Sequence, residues 1–165
     1  MEEIWDAYNE KEERLGIDLI RGNKLPEGAY HLVVSVLVQH IDGDYLLMQR
    51  DFKKTWSGFF EATAGGAVLK GETPEAGAIR EVKEETGLTV EHLALFKKNL
   101  NPKRQIILYH YIAKTSDPKE AVTLQPGETM AYKWLNYGQF LLFLNSKDCI
   151  PGQAVSIKAY LKSEL

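Results

Sequence analysis

The chain has 165 residues, 44% hydrophobic and 26% charged, with a formal net charge of −3. That composition belongs to a globular chain, long enough to fold without a disulfide or metal staple. The balance of 20 basic against 23 acidic residues excludes a general pull toward nucleic acid or anionic lipid, and the single cysteine, Cys149, excludes an intrachain disulfide and a cysteine-based zinc site.

No apolar run reaches the roughly 18 residues of a spanning helix. The acidic start MEEIWDAYNEKEER lacks the apolar stretch of a signal peptide. A cytoplasmic protein is expected, with one domain over 1–165: a hairpin extension (1–28) and a core (29–165). Within the extension, the patches Ile4-Trp5-Tyr8 and Leu15-Ile17-Leu19-Ile20 flank the polar turn NEKEER. This pattern suits a small hairpin or a short initial helix. RGNKLPEG then reads as a loop.

Tyr30 to His40 is β-branched and almost wholly apolar, as befits a strand buried on both faces. Asp42-Gly43-Asp44 supplies a tight turn, and Tyr45 to Arg50 returns from it, the strongest hairpin signal in the chain. After DFKKTWSGFF comes a short strand, EATAGG. The spacing predicts a helix over 74–86, capped by Thr73, opened by Pro74 and Glu75 and ended by Gly87. Strands follow at 93–100 and 105–115, joined by Asn101-Pro102-Lys103, and another lies at 130–135. Helices are expected over 137–145 and 152–165. The sum is an α/β protein with a mixed sheet between helices.

The helix over 74–86 carries the chemistry. At about 100° per residue, Glu81, Glu84 and Glu85 share an arc of roughly 100°. Gly77 falls in that arc one turn earlier and is expected to leave approach open. Ala78, Ile79 and Val82 form the adjoining apolar face, expected against the sheet, with Arg80 and Lys83 off the acidic arc. Three carboxylates so close oppose one another's ionisation. A hard divalent cation reverses that penalty, and all-oxygen ligation suits Mg²⁺, with Mn²⁺ as a substitute. A solvated face is the plainer reading of a Glu-rich helix. The glycine-rich turn Ala64-Gly65-Gly66 before it argues otherwise, because bare backbone lets a ligand come close.

Gly66, Glu72, Arg80, Glu81, Val82, Glu84, Glu85, Gly87 and Leu88 stand in the order G-x5-E-x7-R-E-U-x-E-E-x-G-U, where U is bulky and apolar. This resembles the Nudix box at every defined position. The resemblance implies an α/β/α sandwich with a loop–helix–loop motif and metal-dependent hydrolysis of a nucleoside diphosphate linked to another moiety, X. It implies Glu84 and Glu85 as metal ligands, Glu81 as a further ligand or general base, and the Gly66 carbonyl in the metal shell. Arg80 would orient a box carboxylate, with Glu72 as its partner or an outer-sphere contact, and Gly87 would close the helix. An extra glutamate outside the box often joins such sites; Glu128 and Glu120 are the candidates.

The run WDAYNE…RG…LPEGAYHLVVSVLV…LLMQR…WSGFFEATAGG is similar to the Nudix branch that includes isopentenyl-diphosphate isomerases. His31 stands where those enzymes use a histidine ligand. They also place a Cys and a His just before the box, whereas Ala64-Gly65-Gly66-Ala67 has neither. A hydrolase is therefore expected, with an isomerase-like enzyme or a non-catalytic nucleotide sensor as alternatives.

Arg50, Lys53 and Lys54 precede Trp56, Phe59 and Phe60. Arg50 and Lys54 suit a diphosphate and Trp56 a stacked base; solvated lysines and core phenylalanines are the plainer reading. Lys103 and Arg104 read as a soluble turn, and Trp134 as core. The expected partner is a small-molecule diphosphate, with no nucleic acid and no membrane. The N-terminal hairpin and the last helix offer surfaces for a homodimer.

Overall fold

A computed structural model describes residues 1–164; Leu165, at the end of the expected last helix, lies outside the described residues. The chain opens with an antiparallel pair, β1 (Ile4–Tyr8) and β2 (Arg14–Ile20), which settles the first segment as a hairpin. The strands β3 (His31–His40), β4 (Tyr45–Arg50), β5 (Phe60–Glu61) and β6 (Thr63–Ala67) precede α1 (Pro74–Thr86). Then come β7 (His92–Asn101), β8 (Ile106–Thr115), β9 (Thr129–Leu135), α2 (Tyr137–Leu144) and α3 (Gln153–Ser163). Among the described residues, no helix is long and apolar enough to cross a membrane.

β3 is the axis of a seven-stranded mixed sheet. It runs parallel to β8 from His31↔Ile106 to His40↔Thr115, and antiparallel to β6 from Val33↔Ala67 to Leu37↔Thr63. The expected hairpin with β4 is correct only at its turn. His40 N–H donates to the Asp44 carbonyl at 2.8 Å, but the two strands pair at Gln39↔Tyr45 alone. β6 occupies the rest of that edge of β3, so β4 splays away to pair with β9 and β5.

Alternate residues of β3 serve two cores. Val34, Val36 and Val38 meet Ala78, Val82 and Leu88 of the α1 side, whereas Leu37 packs with Ile112, Phe140, Phe143, Ile157 and Leu161. Each large side chain so buried contributes about 1.5–3 kcal/mol. The sheet thus lies between α1 and the α2–α3 pair. On the α2–α3 side the cover is incomplete. There Val33 and Ser35 of β3 and Leu108 and His110 of β8 line an open cleft of about 1290 Å³, which the β1–β2 hairpin walls at one end.

The hairpin is tied to the loop ahead of α1. Lys70 N–H donates to the Ile4 carbonyl at 2.8 Å, and Gly71 N–H to Asp6 Oδ2 at 2.9 Å. Its apolar side, Trp5, Ala7 and Leu19, packs with Leu25, Ala67 and Leu69.

Candidate active site

α1 is built as its sequence dictates. Thr73 Oγ1 accepts from Ala76 N–H at 3.1 Å, Pro74 starts the helix, and Gly87 ends it with φ of 75°. Ala78 and Val82 are fully buried against the sheet. Ile79, expected on that face, is 45% exposed. Gly77 is not an open approach either. Its missing side chain makes room for Val68 Cγ2 and Glu72 Oε2, which would lie 3.3 and 3.4 Å from a Cβ there. The buried stripe is therefore rotated by about one residue from the expected one, and Glu81 and Glu85 are turned to the edge of the sheet.

Two glycines let those carboxylates cross β6. A Cβ on Gly66 would stand 2.4 Å from Glu81 Oε1, and Gly65 N–H donates to Glu85 Oε1 at 3.4 Å. Glu81, Glu84 and Glu85 all line the cleft. Glu84 is the exposed member, at the rim. Arg80 was expected off the acidic arc, but its guanidinium reaches into it. It grips Glu72 with two bonds of 2.8 and 3.1 Å, donates to Glu81 at 2.7 Å and Glu84 at 3.3 Å, and donates to the Ala67 carbonyl at 2.9 Å.

The charges follow from these contacts. Bonds from Arg80 hold the Glu72 carboxyl below its ordinary range. Burial raises Glu81, against the opposing pull of Arg80. Burial pushes Glu85 up to about 8, with Glu81, Glu61 and Glu128 adding like charge. Among the described residues, no three acidic, histidine or cysteine side chains close on one metal-sized point. The arginine, not a shared point between acids, is what bridges Glu81 and Glu84. Even so, the donors are all oxygen, Gly66 leaves its cradle to Glu81, and the crowded buried acids lack enough positive charge. This donor set fits a hard divalent cation.

Outside the box, the expected phosphate-binding cations are already engaged. Arg50 is ion-paired with Glu61 and Lys54 with Glu128, all four lining the cleft. Glu61 is a functional candidate that sequence reasoning missed. It follows Phe60 in the two-residue β5, largely buried beside Ala62, and burial raises its carboxyl. Glu120 does not line the cleft. Trp56 does, 49% exposed and edge-on to Phe59 at 5.4 Å, with φ of 58°. A bulky residue rarely takes that backbone conformation. Phe60 packs instead with the α2–α3 core, and Trp134 packs against the α1-side core. Cys149 is buried in the α2–α3 core. Arg104, expected as a solubilising turn residue, lines the cleft, as does His31.

A mixed sheet between one helix and a helix pair, with box glutamates crossing a glycine strand into a cleft, defines a Nudix fold with its signature helix in place. The NUDIX domain model matches residues 29–152, and the chain belongs to that family. It is 39% identical over 116 residues to the uncharacterized Nudix hydrolase lin0387 of Listeria innocua, a stretch covering 70% of this chain and 64% of that one. Over 82 residues it is 39% identical to the 8-oxo-dGTP diphosphatase of Escherichia coli, covering 46% and 61% of the two chains. The matched stretches thus span less than two thirds of these relatives. In structure it is similar to DR0079 of Deinococcus radiodurans, with a TM-score of 0.72 at 19% identity over 96% of this chain and 99% of that one.

Proposed function

We propose that this chain is a divalent-cation-dependent pyrophosphohydrolase. It cleaves a pyrophosphate bond in a nucleoside diphosphate linked to X, or in a related organic diphosphate, with Mg²⁺ as the cation and Mn²⁺ able to replace it. One observation carries this reading: Glu81 and Glu85 pass Gly65 and Gly66 into a cleft whose walls bear Arg21, Arg50, Lys54 and Arg104. Acids at the centre and bases around them suit an anhydride held through a cation.

Glu81, Glu84, Glu85 and the Gly66 carbonyl would hold the cation, which neutralises charge on the diphosphate when bound. Glu81 takes the proton of the attacking water; its burial raises its proton affinity toward that task. Arg80 orients Glu81, and Glu72 holds Arg80 from behind. Arg50 and Lys54, held at the cleft by Glu61 and Glu128, turn donors toward phosphate oxygens. Trp56 offers an exposed ring for stacking.

The proposal extends to a cytoplasmic setting and to residues 1–165 acting as one unit, with the hairpin as a wall of the cleft. The likeness of residues 5–88 to the isomerase branch is part of it as a statement of descent. Isomerase chemistry is disfavoured, because positions 64–67 carry no thiol and Cys149 sits in a core. The test is a panel of nucleoside triphosphates, sugar nucleotides, dinucleoside polyphosphates and prenyl diphosphates, with Mg²⁺ and with Mn²⁺. Hydrolysis of at least one nucleotide class is expected; double-bond migration in a prenyl diphosphate, or binding with no turnover anywhere, sinks the reading.

A further inference from the structure

Beyond the box glutamates, the cleft continues to the β1–β2 hairpin, and that end has its own donors. His31 stacks under the Trp5 indole, with ring centroids 3.9 Å apart and planes within 8°. It is 9% exposed, and its Nδ1 has no hydrogen-bonding partner among the described residues. A buried polar atom left in this state is disfavoured unless a ligand or water meets it. Burial holds the ring near pKa 4, so near neutral pH it is uncharged and can offer a proton from one nitrogen.

Arg104 lies close enough for its charge to oppose protonation of that ring, and it precedes a strained backbone position. Gln105 has φ of 53°, a conformation non-glycine residues seldom adopt. Its side chain is clamped by bonds to the Pro26 carbonyl at 2.7 Å and the Ala29 carbonyl at 2.9 Å, and its own carbonyl accepts from His31 N–H at 3.1 Å. These bonds fasten the 101–105 turn to the start of β3. Arg104 is bonded only through its backbone N–H, to Asn101 Oδ1 at 3.1 Å; among the described residues its guanidinium has no ion pair. The other cations at this end are matched, Arg21 by Glu3 at 2.7 Å and Lys70 by Asp18 at 2.6 Å. Glu3 also accepts from Trp5 Nε1–H at 2.7 Å, so this neighbouring acid is already satisfied.

We infer that the hairpin end of the cleft is a second anion subsite, in which Arg104 and His31 receive a phosphate or carboxylate on the X half of the substrate. The inference rests on the proposed function and narrows it. The substrate class becomes a nucleoside diphosphate whose X carries a negative charge of its own. A neutral sugar would offer the exposed guanidinium little that water does not; a charged group takes a charge-assisted bond from it and a second from the ring.

The test needs no turnover. Imidazole nitrogen resonances of the full chain are followed by NMR, without divalent cation, while inorganic phosphate or, separately, acetate is added. The His31 signals are expected to shift saturably with at least one anion. The His110 ring, bonded to Asn99 at 2.8 Å elsewhere in the cleft, should stay still. Arg104→Ala should weaken the response about ten-fold, the loss of one charge-assisted contact. Glu85→Gln should leave it intact, so a failed hydrolase assignment and a failed subsite are told apart. A His31 ring unmoved by either anion, moved no more than His110, or moved equally in Arg104→Ala overturns the inference.

Discussion

A methyl group added at Gly65 would stand 2.2 Å from the Val34 carbonyl oxygen, whereas one added at Gly66 would meet the Glu81 carboxylate at 2.4 Å. The first obstacle is backbone within the β3–β6 ladder; the second is the tip of a side chain that can swing away. Gly65→Ala is therefore expected to cost about 1–3 kcal/mol or more, through a displaced strand. Gly66→Ala is expected to leave the melting temperature within a few degrees while lowering kcat about 100-fold, through a displaced Glu81. Parallel thermal melts and turnover assays check the pair; full turnover in Gly66→Ala would remove Glu81 from the chemistry. The box residues were legible in the sequence because their spacing lies along one loop and one helix. Arg80 and Glu72 pair within that stretch. Glu61 and Arg104 were not legible as site residues, and neither was the pairing of Lys54 with Glu128, each of which the sequence offered singly. They meet through the β4–β5 and β4–β9 ladders and the β7–β8 turn, and no local pattern states which strands adjoin.

At the level of elements, α1 carries most of the site, and its two ends differ in what they stand to lose. Thr73 caps through a single bond to Ala76 N–H, so Thr73→Ala should cost about 1 kcal/mol. Gly87 has φ of 75°, and a Cβ there would come 2.3 Å from Thr123 Oγ1. Gly87→Ala therefore combines a left-handed penalty of about 1–2 kcal/mol with a clash against the segment that follows a short 3₁₀ turn at Lys119–Ala121. It should lower the melting temperature more than Thr73→Ala, a ranking that urea titration of the two variants decides. The boundaries of α1 were readable because cap, proline and glycine are local signals. The partner of β4 was not: the turn Asp42-Gly43-Asp44 and the apolar run after it mark Tyr45–Arg50 as a strand, but only the arrival of β6 beside β3 sends it to β9. Ile79 misled for a related reason. A helical wheel shows which residues are apolar, and the empty surface of Gly77 decides how far the helix rotates.

Across the whole molecule, buried titratable groups pull stability in opposite directions with pH. His31 and His110 are held near pKa 4 by burial, against about 6.5 when unfolded. The unfolded chain therefore binds more protons in that window, and their contribution, full above about pH 6.5, is lost as pH falls toward 4. Glu85 is raised from 4.5 to about 8. Its contribution is full below about pH 4.5 and is lost as pH rises through 8, because ionising it in the fold sets an unmatched charge beside Glu81 and Glu61. Without divalent cation, the melting temperature should fall on both sides, and Glu85→Gln should remove the part of the alkaline decline that lies below pH 8 while keeping the acid one. Millimolar Mg²⁺, binding only the native state, should raise the wild-type melting temperature, more at pH 8 than at pH 6, and should do little for Glu85→Gln. Melts from pH 4 to 9, with and without the cation, measure both effects. An alkaline decline that survives the substitution would move the uncompensated charge to Glu61 or Glu81, the other two cleft carboxyls that burial raises.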